Sequence, residues 1–252
     1  MMGRWDDREK ALDLNNDGFD LFEQEDFEES ITCYDESIRL NPENEIVWVN
    51  KGVSLCELEK YGKAIECINE AIRLNPQYAN AWYTKGDVLY EQNKFQESIT
   101  CYDESIRLNP EFGLALYAKG CSLDFLDRYE ESITCYDESI RLNPRDHITW
   151  GAKGFSLYLL ERYEESIPCF VEAIKIRPEF FLPWHNRGMA LLGLEEYGEA
   201  IVCFNEAIVL NPQHHDTWLN KGHSLEELGK CAEATTCYDH AIFLKGVLDE
   251  SE

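Results

Sequence analysis

The string ESITCYDESIRLNP stands at Glu29–Pro42 and returns unchanged at Glu97–Pro110 and Glu131–Pro144. The last two copies lie 34 residues apart and the first two lie twice that distance apart, so the chain carries an internal period. The prolines extend it: Pro42, Pro76, Pro110, Pro144, Pro178 and Pro212 keep the same step, and Gly246 takes the seventh place. Such a period overrides any domain count made from length. It divides the chain into a lead-in of residues 1–10, seven tandem repeats (11–44, 45–78, 79–112, 113–146, 147–180, 181–214 and 215–248) and an acidic tail, 249–252.

Numbered from one within each repeat, place 8 is always glycine: Gly18, Gly52, Gly86, Gly120, Gly154, Gly188 and Gly222. Place 4 holds Trp48, Trp82, Trp150, Trp184 and Trp218, with Leu14 and Leu116 in the other two repeats. Place 24 is Tyr34, Ile68, Tyr102, Tyr136, Phe170, Phe204 and Tyr238, and places 20 and 27 are always Ala or Ser. Bulky residues therefore alternate with small ones as knobs facing holes. Places 4, 8 and 11 share one helical face and places 17, 20, 24 and 27 another, which predicts two helices joined by a short polar turn. The second helix opens on acids such as Glu130 and Glu131 and closes on Arg39, Arg73, Arg107, Arg141 or Lys175, as the helix dipole favours. Asn-Pro then ends most repeats, because proline cannot extend the helix.

This pattern resembles the tetratricopeptide repeat family. The resemblance implies an all-α, right-handed superhelical solenoid of seven helix-turn-helix repeats, whose first helices line a concave groove that takes a peptide. It implies no catalytic residue. The departures are Leu14 for Trp, Cys231 for an aromatic residue at place 17, Gly246 for Pro, and Pro168 inside a second helix, where it removes a backbone hydrogen bond and should bend the helix.

Composition bounds the partners. With 44% hydrophobic residues and six Trp the chain has ample material for a core. Its 49 acidic against 23 basic residues, a net charge of -26, oppose nucleic-acid phosphates and anionic membranes. The expected partner is a protein or peptide carrying basic and apolar residues, with no direct nucleic acid and no membrane. Residues 1–10 contain no apolar run typical of a secretory signal, and no stretch approaches the roughly 20 apolar residues of a membrane helix. Ten cysteines without an export signal point to a reducing, cytoplasmic setting.

Three patterns suggest chemistry and are each better read as architecture. Cysteine fills place 23 in every repeat, from Cys33 to Cys237, but helices stacked about 8–10 Å apart lie beyond the roughly 7 Å that a disulfide spans, and no CxxC pair occurs. Asp13–Gln24 aligns with a calcium loop at Asp13, Asn15, Asp17 and Gly18, yet Gln24 cannot supply the bidentate carboxylate and Asp20 occupies an apolar place. The six histidines show no zinc spacing. No cofactor, metal or catalytic residue is expected.

The family's contact places on the first helix, 2, 5, 9, 12 and 13, then select the candidate concave-face residues. Repeats one to three supply Phe19, Phe22, Val53, Cys56, Tyr83, Asp87 and Tyr90. Repeats four and five supply Tyr117, Cys121, Asp124, Phe125, Phe155, Tyr158 and Leu159, and repeats six and seven His185, Met189, Leu192, His223, Glu226 and Glu227. Aromatic residues at these places are surplus to the 4, 8, 11 core face and read as an interaction surface. The family's clamp for acidic chaperone tails is missing, since no repeat has Lys or Arg at places 2, 5 or 6. The sequence therefore points to a non-enzymatic scaffold with an aromatic and acidic groove; the alternative is an acidic regulator that occupies a basic, nucleic-acid-binding site on a partner. Solenoid ends need a solvated outer face, so either Lys230, Glu233 and Asp239 solvate the last repeat or it packs on another subunit, which leaves self-association through the C-terminal repeat open.

Overall fold

The computed structural model describes the backbone of residues 2–249 and the side chains of residues 7–246; Glu250, Ser251 and Glu252 of the acidic tail lie outside the described residues. Among the described residues there are fourteen helices and no strand. The chain divides into two compact bodies, Met1–Leu126 and Asp127–Glu252. The first contains α1 (Met2–Glu23), α2 (Phe27–Leu40), α3 (Glu45–Glu57), α4 (Tyr61–Leu74), α5 (Ala79–Glu91), α6 (Phe95–Leu108) and α7 (Gly113–Asp124). The second contains α8 (Tyr129–Leu142), α9 (His147–Leu159), α10 (Tyr163–Ile176), α11 (Phe181–Gly193), α12 (Tyr197–Leu210), α13 (His215–Glu227) and α14 (Cys231–Asp249). Within each body a helix packs on its neighbours in sequence, and the first helices also touch one another, as α3 touches α5 and α9 touches α11. That nearest-neighbour pattern is the all-α helical-repeat fold expected from the period.

The ends of the helices follow from the repeat. Place 15 lies in the left-handed region in every repeat, at Glu25, Glu59, Asn93, Asp127, Glu161, Glu195 and Gly229, with φ from 56° to 74°. The next amide reaches back to the carbonyl at place 11, as in Lys60 N to Leu55 O at 2.8 Å and Arg162 N to Leu157 O at 3.0 Å. This is the Schellman closure, and it turns the chain into the second helix. At the other end the second helices stop at place 30, before Asn-Pro or Arg-Pro. The exception is α14, where Lys245-Gly246 replaces that pair and the helix runs on to Asp249. Residues 2–10 continue α1 and so belong to the first helix of repeat one. Asp13–Glu23 is helical too, which leaves no calcium loop there. Pro168 is exposed, and α10 passes through it at the same length, 14 residues, as α4 and α8.

Packing assigns the invariant places. A Cβ on Gly86 would lie 2.4 Å from Cε1 of Tyr102, and one on Gly188 would lie 2.5 Å from Cε1 of Phe204, so place 8 is where the place-24 ring presses on the first helix. The place-4 indoles bind the repeats together by hydrogen bonds as well as by packing. Trp48, Trp82, Trp150, Trp184 and Trp218 each donate to the carbonyl of the preceding repeat's proline at 3.0–3.2 Å. Place-7 lysines cross to place 25 of the preceding repeat, as in Lys51 to Asp35 at 2.5 Å and Lys119 to Asp103 at 2.6 Å. Buried hydroxyls also pair across repeats, Ser30 with Ser54 at 2.9 Å and Ser98 with Ser122 at 2.9 Å. Six of the place-23 cysteines are buried and Cys33 is half-buried. Burial pushes the Cys67, Cys101, Cys203 and Cys237 thiols up and Cys169 to about 11, which leaves them protonated and poorly reactive.

Candidate functional site

In the first body the exposed faces of α3, α5 and α7 enclose two adjoining cavities. One, of about 680 Å³, lies between α3 and α5 and is lined by Val53, Cys56, Tyr83 and Asp87 together with Glu57, Glu59, Tyr61 and Glu91. The other, of about 290 Å³, lies between α5 and α7 and is lined by Tyr83, Asp87, Tyr90, Glu91, Tyr102, Tyr117 and Cys121. Tyr83, Asp87 and Glu91 are common to both. They stand at places 5, 9 and 13 of one helix, one turn apart, which sets them in a row along α5.

Asp87 is the polar centre of this surface. Tyr102 Oη donates to its carboxylate at 2.8 Å, and the Tyr83 hydroxyl is a second donor. Burial pushes the Asp87 carboxyl up to about 6, against the pull of those two donors. The rings are organised as well. Tyr83 packs on Phe112 at 5.0 Å, and Tyr90 meets the edges of Phe95 and Phe125, which are themselves stacked at 4.6 Å. Phe125 stays 61% exposed despite this packing. Burial raises Tyr83 and Tyr90 well above the usual phenol range, so every one of these hydroxyls stays protonated as a donor.

The second body has its own cavity of about 560 Å³, lined by Phe155, His185 and Met189 together with Leu182, Asn186, His214, Asp216 and Asn220. His185 is only 5% exposed. Its Nδ1 lies 2.9 Å from Thr217 Oγ1, which is also 2.8 Å from His214 Nδ1. One hydroxyl donates a single hydrogen, so one imidazole accepts from Thr217 while the other donates to it. Burial, reinforced by His214, pushes the His185 imidazole down to about 4 and keeps it neutral. Phe155 stacks on Tyr158 at 6.0 Å, which in turn touches Tyr163 at 5.5 Å.

The remaining candidates lie elsewhere. Phe19 is exposed on α1, and Phe22 packs on Phe27 at 5.4 Å. Asp124 and Leu159 line neither of their bodies' cavities described above, and Leu192 packs on the core around Leu191 and Phe204. On α13, Glu226 accepts from Tyr238 Oη at 2.7 Å, and His223 lies 3.8 Å from Glu227. The face of α13 that does reach the cavity is instead Asp216 and Asn220, at places 2 and 6. Sequence reasoning missed these two along with Glu57, Glu91, Tyr102 and His214. A signal existed at places 2 and 6, which carry Asn80, Asn186 and Asn220, and at place 13, which carries Glu57 and Glu91.

Among the described residues no helix is long and apolar enough to cross a membrane. In sequence, two profiles described as tetratricopeptide repeat match the chain, one at residues 46–78, 79–112 and 182–214 and the other at 21–44, 114–146 and 148–180. No curated protein matches. The chain is similar in fold to a tetratricopeptide repeat protein of Parabacteroides merdae ATCC 43184, at 16% identity and TM-score 0.69, over 96% of this chain and 97% of that one. It is also similar to YrrB, described as having an unusual peptide-binding site, at 20% identity and TM-score 0.64, over 77% of this chain and 97% of that one. MamA of Desulfovibrio magneticus RS-1 shares 19% identity at TM-score 0.65, over 68% of this chain and 97% of that one.

Proposed function

Because the chain belongs to the tetratricopeptide repeat family, whose members are protein-interaction scaffolds, we propose that it acts without chemistry of its own by holding a peptide segment that carries Lys or Arg beside apolar anchors. One observation carries the reading. Seven residues selected by repeat place, Val53, Cys56, Tyr83, Asp87, Tyr90, Tyr117 and Cys121, converge on two adjoining cavities edged by carboxylates and tyrosines. An apolar wall with a few placed polar groups is the usual make-up of a binding site. The sign of its charge, in a chain of net charge -26, selects basic segments and rejects acidic ones. YrrB supports the reading by analogy, as a peptide binder of similar fold.

Peptide display on the full chain tests it. Enriched peptides should combine basic and apolar residues, and Tyr83→Ala, Tyr90→Ala and Phe155→Ala combined should lose them while helicity by circular dichroism is unchanged. Enrichment of acidic peptides, or undiminished binding by the folded triple variant, would sink the proposal. Self-association through repeat seven is part of the same reading, supported by Ile242 and Phe243, which stand exposed on α14. Light scattering showing a monomer at high concentration would remove it.

A further inference from the structure

We propose that the smaller cavity of the first body, between α5 and α7, is a pocket for a single arginine side chain. The proposal rests on the scaffold reading and names the group that this part of the surface recognises. The cavity holds about 290 Å³, at the lower edge of the roughly 300–1,000 Å³ typical of small-molecule sites, which suits one side chain better than a backbone segment.

Its walls are Tyr83 and Tyr90 of α5 and Tyr117 of α7, with the fully buried Tyr102 of α6 behind them. Aromatic faces attract a cation through the ring quadrupole, most strongly where water is excluded. The carboxylates of Asp87 and Glu91 border the same space. Tyr102 and Tyr83 occupy part of the Asp87 lone-pair capacity, but an ionised carboxylate offers about four acceptor sites, so a bidentate partner can still be received.

Those walls favour guanidinium over ammonium. Guanidinium is planar, weakly hydrated and able to stack on a phenol ring while its edge donates to a carboxylate, whereas an ammonium gives up a tight hydration shell on entry. The nearby base on α5 does not compete for the space, because Lys85 Nζ is bonded to Asn69 Oδ1 at 2.8 Å and lies over the Trp82 ring at 5.7 Å. A neutral apolar side chain would instead leave the half-buried Asp87 carboxylate facing it without an added partner, which costs free energy.

The test is a titration of the full chain, with 13C-labelled tyrosine rings observed by NMR. The probes are N-acetyl-arginine amide, its neutral citrulline isostere and N-acetyl-lysine amide. Arginine should shift the Tyr83, Tyr90 and Tyr117 ring signals saturably, with citrulline at least tenfold weaker and lysine also weaker. Asp87→Asn should weaken the arginine probe about tenfold. Glu91→Gln, at an exposed position that the fold does not need, should weaken it severalfold. Equal shifts with arginine and citrulline, tighter binding of lysine, or no saturable arginine shift would each overturn the proposal. Display-selected peptides that keep their affinity when every arginine becomes glutamine would overturn it too, while leaving the scaffold reading intact.

Discussion

The hydroxyl of Tyr102 donates to the Asp87 carboxylate at 2.8 Å, so a residue that the repeat places in the core also holds the polar centre of the surface. Asp87 is one residue beyond Gly86, the glycine on which the Tyr102 ring presses. Place 24 thus links the packing of repeat three to the face on which its proposed binding residues stand.

That link makes stability depend on pH in a defined direction. The Asp87 carboxyl lies at about 6 in the folded chain, above its ordinary 3.8, because of burial. Tyr83, Tyr90 and Glu91 of α5, Tyr102 of α6, Cys56 and Glu57 of α3, and Tyr117 and Cys121 of α7 surround it. A raised carboxyl pKa means that the folded state holds the proton longer, so this contribution is present below pH 4 and is lost as pH rises through 6. Asp87→Asn should remove that loss and raise stability at pH 7 by on the order of 2 kcal/mol, read as a flatter urea midpoint between pH 4 and 7.

His185 works in the opposite sense. Its imidazole is pushed down to about 4, so its contribution is present above pH 6.5 and is lost as pH falls towards 4. His185→Asn, whose amide can replace Nδ1 towards Thr217, should leave stability at pH 7.5 within about 1–2 kcal/mol of the parent and reduce its fall on acidification. A variant that loses stability on acidification as steeply as the parent would contradict the assignment.

Gly86→Ala should destabilise the first body by about 1–3 kcal/mol, since the added Cβ would stand 2.4 Å from the Tyr102 ring. Gly86→Ala with Tyr102→Leu should recover part of that loss in chemical denaturation. The smaller side chain gives up its ring contacts but also the clash.

Arg187 marks a place where the repeat's charge pairing fails. Lys153 reaches Asp137 at 2.5 Å, but the equivalent of Asp137 for Arg187 is Val171, and Arg187 Nε is buried without a hydrogen-bond partner. Val171→Asp restores an acceptor and should stabilise the chain by about 1 kcal/mol. Its benefit should vanish in the Arg187→Leu background, which denaturation of the four variants of the cycle would show.

Glu161 holds φ of 59°, a left-handed value that costs a non-glycine residue roughly 1–2 kcal/mol. Glu161→Gly should therefore raise the urea midpoint by an amount equivalent to about 0.5–1 kcal/mol, after the added freedom of the unfolded chain is subtracted. Gly229 already occupies the same place in repeat seven.

Much of this architecture was legible in the chain alone. The 34-residue period, the glycine at place 8 facing a bulky residue at place 24, and the Asn-Pro stops are local or nearest-neighbour signals, and a helical repeat is built from those alone. Selecting first-helix places likewise reached Tyr83, Asp87, Tyr90, Tyr117 and Cys121, because residues at fixed places on equivalent helices face the same way. What the sequence could not show was how far each side chain is engaged once the helices touch. The indole of Trp82 finds the Pro76 carbonyl, Tyr102 divides itself between core and surface, His185 sinks beneath Thr217, and Glu226 is taken by Tyr238. These are side-chain hydrogen bonds from a helix to a neighbouring helix or turn, governed by distances of a few tenths of an ångström. A periodic pattern sets which helices meet; only the packed structure decides which polar atoms are left facing a partner.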